Sequence, residues 1–260
     1  MDLTDQVALI TGASSGIGKA TALRLAMAGA WIGVLSRDPD EVNAVVKEIE
    51  EAGGKALALI ADVSKPEQMQ AAIKKIGDAW ERIDIVFANA GINGKWASLE
   101  DLTPEDWDET LDINLKGTFL TVKYSLPYLK KRGGSVIITA SVNGTRMFSN
   151  TGASAYASSK AAQVAFTKMI ALELAQDKIR VNVICPGAIE SDIEDNTERD
   201  DLEEIQEPVT FPDGKIPLTN GVPGKAEQVA SLVMFLASDE ASHVTGTEVW
   251  IDGAQSLLQG

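Results

Sequence analysis

The stretch Val7-Ala-Leu-Ile-Thr11-Gly12-Ala-Ser-Ser-Gly16-Ile-Gly18 decides the fold. Its first five residues form a short apolar run that is typical of a buried strand. A turn with three glycines, Gly12, Gly16 and Gly18, follows directly. A helical pattern starts within this turn and continues through Leu23 and Leu25. A strand, a glycine-rich turn and a helix in this order predict the first half of a βαβ unit.

The glycine-rich turn also predicts a ligand. Glycines allow the backbone to approach a pyrophosphate closely, and the first turn of the helix offers unpaired N–H groups and a positive dipole to the anion. A merely tight turn is the alternative, but the position between a first strand and a first helix favours dinucleotide binding. The predicted contacts in this segment are Gly12, Ser14, Ser15, Gly16, Ile17 and Gly18.

Short apolar runs alternate with helical segments along the rest of the chain. The predicted strands are Val7-Thr11, Trp31-Ser36, Lys55-Ala61, Ile83-Ala88, Ser135-Ala140, Ile179-Ile184 and Glu248-Ile251; the predicted helices are 16–29, 39–52, 65–80, 103–131, 154–176 and 225–238. Strands that are apolar on both faces and separated by helices indicate a parallel sheet covered on both sides. We therefore expect one Rossmann-type, doubly wound, three-layer α/β domain over 1–260, with a substrate lid at about 187–224.

Composition narrows the classes of function. A net charge of −15 opposes binding to nucleic acid and to anionic membrane surfaces. No apolar run has the roughly 20 residues needed to span a bilayer. The single cysteine, Cys185, and the polar start of the chain favour a reducing, cytoplasmic location. The single histidine, His243, excludes a Ser-His-Asp hydrolase and a histidine-rich metal site.

The segment from Glu190 to Glu207 carries ten carboxylates and one cation, Arg199. Nothing in this run has a recognisable metal-ligand pattern. We interpret it as a solvated surface of the lid and expect no metal site there.

A candidate acid/base pair lies in Tyr156-Ala-Ser-Ser-Lys160. The phenol and the ammonium are four positions apart in the chain, so in a helix the two side chains share one face. A nearby Lys⁺ favours the phenolate and lowers the pKa of a tyrosine from about 10 towards that of a working acid/base. Such pairs are usually exposed side chains without a function. Ser141, however, follows the fifth predicted strand and so lies at the edge of the sheet where the dinucleotide is expected, which favours a functional pair.

These motifs together resemble the short-chain dehydrogenase/reductase family over nearly the whole chain. The glycine motif is similar to the family's Thr-Gly-x-x-x-Gly-x-Gly. By the same resemblance, Asn114, Ser141, Tyr156 and Lys160 form a catalytic tetrad. Further cofactor contacts that the resemblance implies are Asp62, Val63, Asn89, Ala90, Gly91, Pro186, Gly187, Ile189 and Ser191.

The resemblance implies a reaction and a role for each residue. The chain would transfer hydride between NAD(P) and an alcohol/carbonyl pair, with Tyr156 passing the proton and Ser141 donating a hydrogen bond to the substrate oxygen. Lys160 would hold the ribose hydroxyls, and Asn114 would support a relay through bound water. The family's Asn-Asn-Ala-Gly is Ala88-Asn-Ala-Gly91 here, and its usual threonine after Pro-Gly appears as Ser191.

Several functional alternatives stay open at this point. A non-catalytic dinucleotide sensor or scaffold could use the same fold, although all four tetrad residues are present. An epimerase or dehydratase from the branch of the family with longer chains fits less well, because those chains usually carry an additional substrate domain and a shorter glycine motif. Small carbonyl compounds, sugars or polyols and cyclic ketones are all candidate substrates. The acidic charge opposes docking of an acyl carrier protein, unless the cluster Lys130-Lys-Arg132 serves as a local dock.

Two further expectations concern the cofactor and the assembly. Ser36 and Arg37 end the second strand, and an arginine there accommodates the additional phosphate of NADP, whereas Asp38 matches the position of an NAD-specific acid only crudely. We predict a preference for NADP(H), with NAD(H) accepted. The resemblance implies a homo-oligomer, a tetramer, paired through the helices at 103–131 and 154–176.

Overall fold

The computed structural model describes residues 1–148, 150–190, 193, 197–205 and 216–258. The strands are β1 (Val7–Thr11), β2 (Trp31–Ser36), β3 (Lys55–Ile60), β4 (Ile85–Ala88), β5 (Gly94–Trp96), β6 (Gly134–Thr139), β7 (Ile179–Pro186), β8 (Thr197–Arg199) and β9 (Glu248–Ile251). The α-helices are α1 (Gly16–Met27), α2 (Pro39–Glu51), α3 (Pro66–Trp80), α4 (Pro104–Leu111), α5 (Gly117–Leu129), α6 (Ser154–Leu174), α7 (Leu202–Ile205) and α8 (Ala226–Ala237). Short 3₁₀ turns lie at Ala175–Asp177, Pro217–Thr219, Asp239–Ala241 and Gln255–Leu258.

Seven parallel strands form the central sheet in the order β3-β2-β1-β4-β6-β7-β9. The chain moves outward from β1 to β3 and then returns to the other side of β1 with β4. The strand order therefore reverses between β1 and β4, and ligands of open α/β sheets bind in the crevice at the carboxyl ends of the strands there.

Two apolar layers cover the sheet. Helices α1, α2 and α8 pack on one face around Ile10, Ile32 and Phe87, and helices α3, α5 and α6 pack on the other around Leu9, Val86 and Ile138. Burial of both faces accounts for the continuous apolar runs of the inner strands. The predicted doubly wound, three-layer α/β fold is confirmed.

The predicted helix over 103–131 is not one regular helix. It consists of α4, a π-helical turn at Asp112–Lys116 and α5, which ends at Leu129. A single π turn is too short to be distinguished by hydrophobic periodicity from the helices on either side of it. Single π turns inside helices occur frequently at functional sites, and this one contains Asn114.

The acidic connection after β7 contains a small second sheet that the sequence did not predict. Strand β8 pairs in parallel with β5, with Trp96 opposite Arg199. Three-residue strands give too little alternation to be recognised, and these partners lie about one hundred residues apart. No helix in the described part of the chain is long and apolar enough to cross a membrane.

Candidate active site

A cleft of about 1220 Å³ opens at the carboxyl ends of the strands, at the point where the strand order reverses. Most of the residues proposed from the sequence line it: Gly12, Ser14, Ser15, Gly16, Ile17, Ser36, Arg37, Asp62, Val63, Asn89, Ala90, Gly91, Ser141, Tyr156, Lys160, Pro186, Gly187 and Ile189. Two described candidates, Gly18 and Asn114, lie behind this lining. Ser191 is outside the described residues.

The glycine turn has the geometry of a phosphate cradle. Gly12 has a φ of +63°, and a Cβ there would come within 2.9 Å of Ala90 Cα. A Cβ on Gly18 would lie 1.9 Å from the Gly12 carbonyl oxygen, so Gly18 packs the start of α1 against the turn instead of facing the cleft. Helix α1 has no side-chain cap at Ser15 and no acid in its first turn. The turn and helix therefore fit the pyrophosphate of a dinucleotide.

Asn89 fastens the turn to the neighbouring strand ends. Its Nδ2 donates to the carbonyl oxygens of Thr11 (3.3 Å) and Gly12 (3.4 Å), and its Oδ1 accepts from Thr139 Oγ1 at 3.1 Å. Thr11 Oγ1 in turn accepts from the backbone N–H groups of Asn89 and Ala90. Although Asn89 lines the cleft, these contacts make it first of all a brace between β1, β4 and β6.

The far end of the cleft, beside β2, carries hydroxyls and opposite charges. Ser14 Oγ donates to Ser36 Oγ at 3.1 Å. Asp38 Oδ1 accepts from the backbone N–H groups of Asp40 (2.8 Å) and Glu41 (3.1 Å), so this carboxylate caps α2. Arg37 is exposed beside it and lines the cleft.

Asp62 lies at the same end of the cleft. Burial raises the pKa of this carboxyl, but hydrogen bonds from the backbone N–H and hydroxyl of Ser64, together with the charges of Arg37 and Lys65, hold the pKa below its ordinary value. Asp62 is therefore ionised near neutral pH. Its negative charge lies close to that of Arg37, and both are available at the expected adenosine position.

Helix α6 presents Tyr156 and Lys160 to the other end of the cleft. Both side chains are almost fully buried, and Lys160 Nζ lies 5.5 Å from the centre of the Tyr156 ring. Lys160 Nζ donates to the Thr139 carbonyl oxygen at 2.9 Å, at the end of β6. This contact fixes the ammonium beside the phenol. It could not be predicted from the sequence, because any residue supplies a backbone carbonyl.

Burial lowers the pKa of Lys160 from 10.5 to about 8, and the neighbouring Cys185 opposes this shift weakly. The charged form of a buried ammonium is destabilised because it has lost water. Lys160 is therefore poised to gain or lose its proton close to physiological pH.

Ser141 follows β6 directly and lines the cleft. Its Oγ accepts from the backbone N–H of Asn143 at 3.1 Å, and the hydroxyl remains a donor towards the cleft. Two amides missed in the sequence lie nearby, where Asn150 Nδ2 donates to Asn143 Oδ1 at 2.7 Å. Asn is common in loops, so neither residue had a sequence signal.

Asn114 lies in the π turn and bonds within the protein. Its side chain exchanges two 2.9 Å hydrogen bonds with the backbone of Ile92, and its Nδ2 also donates to Ser159 Oγ at 3.0 Å. The backbone carbonyl oxygen of Asn114 accepts hydrogen bonds from Thr118 Oγ1 (2.7 Å) and Gln163 Nε2 (2.8 Å). Asn114 therefore joins the exit of β4 to α6. The relay of protons through water at this residue stays a prediction.

The family model that matches this chain is described as enoyl-(acyl carrier protein) reductase and covers residues 12–254. The 3-oxoacyl-[acyl-carrier-protein] reductase FabG of Thermotoga maritima is 40% identical over 254 residues, which are 97% of this chain and 98% of that protein. Cyclohexanol dehydrogenase of an Acinetobacter species is 38% identical over 251 residues, which are 96% of this chain and 94% of that protein.

Solved structures agree with these sequence matches. A 3-ketoacyl-ACP reductase from Sinorhizobium meliloti is 54% identical with a TM-score of 0.94, covering 97% of this chain and 99% of its own. A short-chain type dehydrogenase/reductase from Mycobacterium marinum is 36% identical with a TM-score of 0.86, and the match covers 98% of this chain and 96% of that protein. The chain belongs to the short-chain dehydrogenase/reductase family, and it is an NAD(P)-dependent oxidoreductase acting on CH–OH or carbonyl groups.

Proposed function

We propose that this enzyme interconverts a small, uncharged secondary alcohol and the corresponding ketone, with Tyr156 as general acid/base. The observation that carries the proposal is that Tyr156, Lys160 and Ser141 line the same cleft as the glycine turn. A substrate bound beside the phenol therefore shares a cavity with a dinucleotide held at α1.

Each residue has a separate role in this proposal. Bound NAD(P)(H) would accept or supply the hydride. Tyr156 exchanges a proton with the substrate oxygen, and Ser141 donates a hydrogen bond to the same atom. Lys160 favours the phenolate by its charge and is fixed by the Thr139 carbonyl so that it also reaches the ribose hydroxyls. Asn114 positions α6 against the exit of β4.

Charge in the cleft supports an uncharged substrate. Among the described lining residues the cations are Arg37, at the β2 end, and Lys160, which serves the chemistry. The substrate end is lined instead by amides, Trp96, Met147 and the acidic Glu190. A carboxylate or phosphate on the substrate would find no further cation among these described lining residues. The name of the relative that acts on cyclohexanol agrees with this reading.

Reduction of 3-oxoacyl groups on an acyl carrier protein is the second candidate, because several of the matched proteins carry that name. Carrier proteins of this kind are strongly acidic, and this chain has a net charge of −15. The basic cluster Lys130-Lys-Arg132 precedes β6 and so lies at the amino edge of the sheet, about 20 Å along the strand from Ser141. A carrier protein bound to this cluster would therefore sit at the opposite edge of the sheet from the cleft.

A comparison of substrates tests the proposed function. We expect kcat/KM to be higher for uncharged secondary alcohols and ketones, such as cyclohexanol and 2-hexanone, than for a 3-oxoacyl thioester of an acyl carrier protein. Higher efficiency with the thioester would replace the first candidate by the second. Absence of turnover with every compound, when both cofactors have been supplied, would contradict both.

The cofactor proposed is NADP(H), with NAD(H) accepted. Asp38 is occupied in capping α2, which removes the acid that would otherwise hold ribose hydroxyls. Ser36 and Ser14 offer hydroxyls, and Arg37 offers a cation to the additional phosphate. Glu41 also lines this end and acts against a phosphate, so the preference depends on Arg37.

Arg37→Ala is expected to reduce the ratio of NADP to NAD catalytic efficiency by about 10- to 100-fold, the usual effect of losing a charge-assisted hydrogen bond. The measurement is kcat/KM for both cofactors with one alcohol. Arg24→Ala, an exposed arginine in the last turn of α1, is the matched control. An unchanged ratio in Arg37→Ala would contradict this account, even if NADP were the better cofactor.

We also propose a symmetric homo-oligomer, a tetramer, that forms through α5 and α6. Large apolar side chains are exposed on this pair of helices, namely Phe119 (41%), Met169 (74%) and Leu172 (84%), and Phe119 packs edge-on against Phe166. Exposed apolar strips of this kind usually mark an interface. Sedimentation is expected to give a tetramer at micromolar concentration, and a monomer there would refute the proposal.

A further inference from the structure

We propose that Trp96 makes this active site selective for substrates whose carbonyl or carbinol carbon belongs to a ring, and that strand β8 holds Trp96 in place for this purpose. This inference rests on the proposed function and narrows its substrate class to cyclic ketones and cyclic secondary alcohols. The residue lies outside the glycine turn and the tetrad.

Trp96 forms a wall of the cleft directly beside the acid/base. Its ring centre lies 6.5 Å from that of Tyr156, and the two planes are inclined by 40°. The indole Nε1 donates to the Asn93 carbonyl oxygen at 3.3 Å. Because its polar atom is used within the protein, Trp96 presents an apolar, flat surface to the cleft.

The second sheet fixes the backbone of this wall. Strand β8 pairs with β5, and the Asp200 N–H donates to the Trp96 carbonyl oxygen at 3.0 Å. Asn93 Nδ2 donates to Thr197 Oγ1 at 2.7 Å, and Lys95 forms an ion pair with Asp200 at 2.7 Å. Asn93, which directly precedes β5, and Lys95, which lies on it, are thus both tied to the connection after β7.

The Arg199 guanidinium lies over the Trp96 ring, 5.4 Å from its centre. A cation over an indole is a weakly favourable contact at an exposed site. The ring is therefore restrained by Tyr156 within the cleft and by Arg199 of β8. We assign Arg199 as a positioning residue, since its effect on substrate would pass through Trp96.

This geometry distinguishes a ring from an open chain. A substrate whose oxygen reaches Tyr156 places the carbons nearest to its reacting carbon next to Trp96. A rigid ring covers an indole surface without losing rotational freedom, whereas an open chain must be ordered against it. The broad apolar face of a ring also buries more area against the indole in a single orientation.

Cyclohexanol and 2-hexanol test the proposal, because both are uncharged secondary alcohols with six carbons. The wild-type enzyme is expected to favour cyclohexanol in kcat/KM. Trp96→Leu is expected to lower kcat/KM for cyclohexanol by about tenfold and that for 2-hexanol by less than about threefold, which corresponds to roughly 1 kcal/mol of selective contact. Trp96→Phe, which keeps an aromatic face, should restore most of the selectivity.

Arg199→Ala should shift the same ratio by about two- to threefold, and it should add nothing to Trp96→Leu in the double variant. Trp80→Phe, a tryptophan that packs on Trp31 away from the cleft, is the control and should leave the ratio unchanged. Affinity for the cofactor, measured by titration, checks that each variant is folded.

The possible failures are distinguishable. Equal losses for both alcohols in Trp96→Leu would mean that Trp96 only packs against Tyr156, and the selectivity assignment would be wrong while the proposed function stood. Wild-type preference for 2-hexanol would also overturn it. Absence of wild-type activity on both alcohols would contradict the proposed function, and this inference would fail with it.

Discussion

Replacement of Tyr156 by phenylalanine is expected to lower kcat by about 10²–10⁴-fold, the usual contribution of a positioned proton donor. The variant loses one hydroxyl and keeps the ring that contacts Trp96 and lies near Lys160. Affinity for the cofactor should therefore change little. Steady-state kinetics with a secondary alcohol give kcat, and a fluorescence titration gives the dissociation constant of the cofactor.

Tyr124→Phe removes a phenol from the partly buried face of α5, away from the cleft lining, and serves as the control. It should retain close to wild-type activity. If Tyr156→Phe kept more than about a tenth of the wild-type kcat, another group would have to supply the proton.

Replacement of Lys160 by methionine is expected to have two effects of opposite sign. Activity should fall at least about tenfold, because the charge near Tyr156 and the donor for the ribose are both lost. Stability of the cofactor-free protein should rise relative to the wild type near neutral pH, because the buried ammonium is a source of instability.

The pH dependence follows from the direction of the pKa shift. Burial lowers the pKa of Lys160 in the folded protein to about 8, whereas in the unfolded chain it is near 10.5. Between these values the unfolded chain binds a proton that the folded protein does not, so lowering the pH favours unfolding. Below about pH 8 the full effect is present, and above about pH 10.5 it is absent.

The free energy of unfolding of Lys160→Met minus that of the wild type should therefore grow by roughly 3 kcal/mol from about pH 10.5 to about pH 7. Urea unfolding at several pH values measures this difference. Lys47→Met, at a side chain that is 75% exposed, should show no such growth. A difference that does not vary with pH would mean that the folded environment leaves the pKa of Lys160 near 10.5.

Much of the fold could be predicted because the inner strands are apolar on both faces. Strands such as β1 and β4 appear in the sequence as apolar runs, and the glycine turn after β1 predicts where a dinucleotide would bind. The π turn at Asp112–Lys116 and the β5–β8 pair were missed. Both depend on contacts between distant segments, as in the hydrogen bond from Gln163 to Asn114.

The candidate site was predictable where side chains carry the chemistry and unpredictable where the backbone does. Tyr156 and Lys160 were proposed from their spacing together with Ser141 and the family resemblance, but the Thr139 carbonyl that holds Lys160 leaves no trace in a sequence. The role of Asp38 could have been predicted. Asp followed by Pro39 and Glu41 is typical of a helix N-terminus, and the Asp38 carboxylate caps α2. That pattern outweighs the distance rule for a ribose-binding acid.

Transfer of an isotopic label tests the central claim most directly. An uncharged secondary alcohol that carries deuterium on its carbinol carbon is incubated with the enzyme and oxidised cofactor, and the reduced cofactor is analysed by mass spectrometry. The account predicts that the reduced cofactor gains one deuterium with the wild-type enzyme, and that Tyr156→Phe yields almost none in the same time. Reduced cofactor without the label, or equal labelling by both proteins, would contradict it.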